Sequence, residues 1–107
     1  MRTIQQLQDA ADKERSKAEA LRAEAKKNQL FAADNMADPN VSSRYANIAQ
    51  KDNQKAAQHD QSATKYDLEK TQLEARAVEL NRRKTEIQDV SQSQINKLDQ
   101  EERAIRG

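Results

Sequence analysis

Few residues of this chain are of a type that does covalent chemistry, and none is spaced to do it. The single histidine, His59, has Lys55 and Ala63 four residues to either side. The pairing of ligands one helical turn apart, which holds a metal ion on a helix face, is therefore missing. There is no cysteine, hence no thiolate ligand, thiol nucleophile or disulfide. Serine and threonine are scattered with no base beside them. The lone glycine is Gly107, so no glycine-rich loop exists to cradle a phosphate. Asp and Glu are abundant but interleaved with Lys and Arg. On a helix such residues act as solvated partners, as Glu19–Arg22 and Glu79–Arg83 are placed to do. A catalytic pair also needs a pocket to shift its pKa values, and a two-helix hairpin has none. The expectation is a protein that is not an enzyme and takes no metal or cofactor. His59 keeps one conceivable role, because an imidazole that must charge inside a packed seam destabilises it.

The binding chemistries narrow in the same way. Net charge is +1. Residues 1–36 carry 7 basic and 6 acidic side chains, and residues 73–107 carry 7 of each. No segment has the field that attracts a phosphate backbone. The one basic cluster, Arg82-Arg83-Lys84, reads as a solvated helix face. The three aromatics, Phe31, Tyr45 and Tyr66, are not interleaved with a basic groove. No apolar run approaches the roughly 20 residues that span a bilayer. The N-terminus, MRTIQQLQDAADKE, has no apolar core of a cleaved leader. The expected partners are thus proteins, with no nucleic acid and no membrane insertion. The expected address is the cytoplasm, with export lacking a cleaved signal peptide as the alternative.

What remains is association between helices. Of 107 residues 35% are hydrophobic, but 17 of these are alanine, and Leu, Ile, Val and Phe together number only 16. Charged residues make up another 35%, mean hydropathy is −1.21, and there is one glycine and one proline. Such a chain lacks the large apolar residues of an ordinary globular core and is rich in helix formers.

The one strong interruption is Ala37-Asp38-Pro39-Asn40. Proline disfavours a helical residue before it. The spacing predicts helix 1 over about 4–36, a turn over about 37–41 and helix 2 over about 42–105, in a single helical-hairpin domain of 1–107. Thr3 with Gln6 fits a capping box. Asp38 can cap helix 2 with Pro39 at its first position, and Ser42 or Ser43 are alternatives.

A heptad rhythm runs through both helices. Spacings of three and four select Ile4, Leu7, Ala11, Glu14, Ala18, Leu21, Ala25, Asn28, Ala32 and Asn35. In helix 2 they select Tyr45, Ala49, Asp52, Ala56, His59, Ala63, Tyr66, Lys70, Leu73, Ala77, Leu80, Lys84 and Ile87. The fold expected is all-α: an antiparallel two-helix coiled-coil hairpin with an alanine-rich seam and a long overhanging second helix. Facing residues of an antiparallel pair have a constant sum of numbers. A sum of 84 sets large against small and Glu14 against Lys70, and that register is preferred over 77. It also places His59 opposite Ala25.

Two surfaces follow. Phe31, Met36, Val41, Tyr45 and Ile48 cluster in sequence around the turn, as packing of the tip or as a contact for a partner. Beyond Leu80, where helix 1 runs out, 27 residues, about 40 Å of helix, have nothing from this chain beside them in that register. Leu80, Ile87, Val90, Ile95, Leu98 and Ile105 lie roughly on one side of this overhang and form the expected partner-binding face.

In size and plan the chain resembles leaderless helical hairpins exported by bacterial secretion machines. Asp38-Pro39 followed by Tyr45 is similar to the turn of type III needle subunits, although the long polar helix 2 departs from that pattern. WXG100-like proteins share the hairpin plan. Their Trp-X-Gly turn is absent here, and so is their tail signal of tyrosine followed four residues later by an acid, since Ala49 follows Tyr45 and Lys70 follows Tyr66. The plan is shared, not a family signature. The function expected is protein–protein assembly, as a small subunit or adaptor completing a helical bundle with itself or another chain. The alternative is a leaderless hairpin substrate, targeting partner or filament subunit of a specialised secretion system.

Overall fold

A computed structural model describes residues 2–86 and 92–107, and they form an all-α helical hairpin. Three helices follow in order: α1 (Ile4–Asp34), α2 (Pro39–Glu86) and α3 (Gln92–Arg106). The chain divides into two compact units, Asp12–Ala63 and Met1–Ala11 with Thr64–Gly107.

Both helix starts are set by local chemistry. At α1 the Gln6 backbone N–H donates to Thr3 Oγ1 at 3.1 Å, and the Gln6 side chain accepts from the Thr3 N–H at 2.9 Å. This reciprocal box satisfies two of the donors that a helix N-terminus leaves free. At α2, Asp38 Oδ1 accepts from Asn40 N at 3.2 Å and Val41 N at 3.4 Å, with Pro39 at the first helical position. Helix 2 therefore begins three residues before the expected 42. Ser42 does not cap it; its hydroxyl donates across the turn to the Ala32 carbonyl at 2.8 Å. α1 stops at Asp34, short of the expected 36. The chain turns tightly there through Asn35 N to Ala32 O and Asp38 N to Asn35 O.

The unit Asp12–Ala63 is the hairpin around that turn. Its buried positions are Ala18, Ala25, Ala32, Ala49, Ala56 and Ala63, with Asn28 as the one buried polar residue. Asn28 is held by bonds from Nδ2 to the Glu24 carbonyl at 3.1 Å and to Asp52 at 3.5 Å. The pairs across this hairpin correct the register. Glu14–His59, Arg22–Asp60, Asn28–Asp52 and Ala32–Ser42 have residue numbers summing to 73, 82, 80 and 74. These scatter about 77, one heptad short of 84. The turn is the cause: helix ends at Asp34 and Pro39 leave only four residues between them. A sum of 84 requires a loop longer by about a heptad. The expected Glu14–Lys70 pair accordingly gives way, with Glu14 taking His59 and Lys70 taking Gln8 and Glu74. His59 does not sit as a bare imidazole against Ala25.

In the other unit the first turns of α1, the second half of α2 and all of α3 come together. Ala77, Leu80 and Ile105 form a buried cluster, and Ile4, Leu73 and Leu98 pack half-buried against it. Leu7 and Ala11 are buried too. Here lies the main departure from the expected fold. Helix 2 does not run unbroken to 105. It ends at Glu86, and α3 returns along it, tied by Arg76–Glu101, Lys84–Asp99 and Lys84–Glu102. α3 is followed by Gly107, whose φ of 88° is the left-handed conformation that closes helix C-termini, with its N–H bonded to the Arg103 carbonyl at 2.9 Å. That end abuts the start of α1, since a Cβ at Gly107 would stand 3.3 Å from the Thr3 side chain. α3 thus joins Ile4 of α1 at the cluster that Ala77 and Leu80 of α2 build.

Every position of the heptad stripe that is described is buried or half-buried, nine on α1, Asn35 in the turn and twelve on α2. Ile87, the thirteenth on helix 2, lies outside the described residues, as does Val90.

Candidate functional site

The tip of the hairpin is built by the end of α1, the turn and the start of α2. Phe31 and Tyr45 meet with ring centroids 5.4 Å apart at 46°, a tilted contact favoured by the ring quadrupoles. Val41 lies one helical turn before Tyr45 and is half-buried like it. Asn35 Nδ2 bonds the Phe31 carbonyl at 2.7 Å and holds the end of α1 closed. The expected apolar knot is thus partly made, but much of its surface stays open. Phe31 is 39% exposed, Ile48 40%, Leu30 59% and Met36 75%. The sequence reading left out Leu30, although it sits beside Phe31 in the same apolar cluster around the turn.

Beside the tip an open groove of about 590 Å³ runs between the helices, floored by Ala32, Ala46 and Ala57 and edged by Gln29, Gln50, Asn53 and Gln54. No charged side chain lines it, in a chain of which a third is charged.

The expected partner face fares differently. Leu80 and Ile105 are buried by the chain's own helices. Leu98 and Ile95 are half-buried. The premise of an uncovered overhang is corrected, because α3 folds back along α2 and packs on Leu80, while Ile87 and Val90 lie outside the described residues. Lys84 is central to that packing. Its ammonium donates to Asp99 and lies 3.2 Å from Glu102. The hydrogen bond to Asp99, with the charge of Glu102 behind it, lifts its pKa above the ordinary lysine value against the opposing effect of burial.

The basic triplet is spent locally. Arg82 donates to both Glu79 and Glu86, which raises its pKa further, and Arg83 lies 3.5 Å from Glu79. Glu79 is held below the usual carboxylate value, chiefly by its hydrogen bond from Arg82. Arg22 reaches Asp60 on α2 instead of the expected Glu19. The Arg2 guanidinium stacks 5.0 Å over the Tyr66 ring.

His59 Nδ1 and Glu14 Oε2 are 2.5 Å apart, with Lys17 3.8 Å from the same carboxylate. The hydrogen bond to His59 is the main cause that draws the Glu14 pKa below its ordinary value. Among the described residues no group of three or more His, Cys, Asp or Glu could hold a metal ion. No described helix is long and apolar enough to cross a membrane. Comparison with known family models, curated proteins and solved structures finds no match to this chain.

Proposed function

We propose that this protein is a non-enzymatic protein–protein interaction module, a small helical subunit or adaptor, and that the hairpin tip is the surface it offers. One observation carries the reading. Among the described residues six large apolar side chains are exposed, and four of them, Leu30, Phe31, Met36 and Ile48, lie within residues 30–48 at the tip. Apolar surface gathered in one place marks a contact, whereas the same residues scattered singly need no explanation. The tip is also rigid enough to present them, with the Asp38 cap, the Ser42–Ala32 bond and the Phe31–Tyr45 contact fixing its backbone. A surface that is ordered before binding loses little entropy on association.

The test is photo-crosslinking in the native cell from a benzophenone residue at position 36, with a second site at Val78 as the comparison. Both side chains are exposed. A discrete adduct at 36 that is absent at 78, and that disappears when Ile48→Asp is added, is the expected result. Equal labelling at both positions, or none at 36, overturns the reading.

A further inference from the structure

Taking the tip as the surface this protein offers, we infer that Met36 is a modification site through which peroxide controls it. Oxidation of the Met36 thioether to the sulfoxide withdraws apolar surface from the contact, and reduction restores it.

Among the described residues Met36 carries the only sulfur atom, since the chain has no cysteine and its other methionine is Met1. It lies in the turn between α1 and α2, and at 75% it is the most exposed of the large apolar side chains described. A thioether has no proton to lose before it reacts, so access to the sulfur decides its rate. Leu30, Phe31 and Ile48 share the surface but are hydrocarbons, which peroxide leaves alone. Met36 is thus the one exposed apolar residue of the tip that redox chemistry converts reversibly to a polar one.

The oxidant is a hydroperoxide, hydrogen peroxide in the simplest case. A lone pair of the sulfur attacks one peroxide oxygen, and the S–O bond forms as the O–O bond breaks. The proton on the transferred oxygen passes through solvent to the departing one. Sulfur gives up two electrons, and the peroxide is reduced to water. Methionine sulfoxide reductases, drawing on a thiol reductant, reverse the change.

The setting decides what oxidation does. A sulfoxide inside a packed core disrupts it. The buried positions of this hairpin unit are alanines and Asn28, with no methionine among them. The backbone of the turn is fixed by Asn35 N to Ala32 O, Asp38 N to Asn35 O and the Asp38 cap, none of which uses the Met36 side chain. The sulfoxide therefore stands in water and leaves the hairpin folded. The effect falls on association, because an apolar contact that covers the sulfoxide must strip water from its S–O dipole.

The test uses the full-length protein with a benzophenone residue in place of Leu30 and with Met36 native. The protein is treated with hydrogen peroxide, freed of oxidant and illuminated in a thiol-free extract of the native cells. Mass analysis should find one added oxygen on the tryptic peptide 28–44, gained at nearly the rate seen for the urea-unfolded chain. Amide exchange across 14–60 should be unchanged. The discrete adduct of the untreated protein should fall by about tenfold, as the loss of one buried methionine side chain predicts. It should return after treatment with a methionine sulfoxide reductase and dithiothreitol. The same protein with Met36→Leu keeps the apolar bulk and should hold its adduct through peroxide. Oxidation about tenfold slower than in urea means that the sulfur is shielded, and overturns the inference. So does lost protection across 14–60, because oxidation then acts by unfolding. An adduct that survives oxidation of Met36, or one lost equally in Met36→Leu, overturns it too. An adduct missing before any oxidant is added is a different result: it sinks the tip as a contact surface, and the control of that surface with it.

Discussion

Ala56 and Ala57 are neighbours in sequence and opposites in environment. Ala56 is buried between the helices of the hairpin, while Ala57 looks out over the open groove. Eight of the eleven buried apolar residues among those described are alanines, so the helices are held close by side chains that cannot grow. Replacing Ala56 by leucine forces extra carbons into packed space and should destabilise the protein by about 1–3 kcal/mol. Ala57→Leu, one residue on, should stay within about 0.5 kcal/mol. Urea unfolding of the two variants checks this, and equal losses would mean that residue 56 does not sit on the seam. At Glu14 the same scale carries a pH effect. Its pKa is lowered in the folded chain, chiefly by the bond to His59. A carboxylate depressed on folding contributes stability that is present above the ordinary carboxylate range and is lost as pH falls through the depressed value. Acid titration of helical ellipticity should therefore show a transition below that range, and Glu14→Gln should flatten it. Lys84 has the opposite sign. Its raised pKa contributes stability fully present below the ordinary lysine range and lost as pH climbs through the raised value.

At the level of helices, the ends are governed by single caps. Asp38 receives two backbone N–H bonds at the start of α2. Asp38→Ala should cost about 1 kcal/mol, and Asp38→Asn should recover most of it, as thermal unfolding can read. This part of the fold was legible beforehand. Thr3, Gln6, Asp38 and Pro39 act through their nearest neighbours in the chain, so their roles can be read from local sequence. The heptad stripe was legible for a related reason, since a 3–4 rhythm places residues on one face whatever they later touch. Register was not legible. With alanine at so many seam positions, sliding one helix by a heptad exchanges one methyl for another and changes packing little. The choice fell to turn length, and placing the cap at Asp38 rather than Ser42 shortened the turn enough to move every facing pair. The third helix was not legible, because Ile87, Val90, Ile95 and Leu98 keep roughly one side of a single continuous helix, so their spacing gives no sign of a break. At the tip, Phe31, Val41 and Tyr45 were readable as a cluster, but the exposure of Leu30 and Met36 depends on how sharply the chain turns.

Taken as a whole molecule, the chain solves in cis the problem that its long second helix creates. A seam that continued past the start of α1 would leave Leu80 and its neighbours in water. α3 returns to cover them, with Ile105 as its buried anchor. Removing residues 87–107 should therefore act on one unit and spare the other. In the truncated chain Leu80, Ala77, Leu73 and Ile4 lose the Ile105 and Leu98 side chains packed on them. Ile105→Ala alone, a buried large-to-small change, should cost about 2–5 kcal/mol of α3 docking. The hairpin from Asp12 to Ala63 keeps its own alanine seam, its Glu14–His59 and Arg22–Asp60 pairs and its capped turn, none of which uses a residue of α3. Amide hydrogen exchange distinguishes the outcomes by segment. Protection should fall across 64–86 and at the first turns of α1 while it persists within 14–60, because local opening follows the contacts that each segment makes. A uniform loss along both long helices would show that α3 stabilises the hairpin through its full length, and that the two units do not open separately. Unchanged protection in 64–86 would show that Ile105 covers nothing that matters, leaving α3 as an appendage.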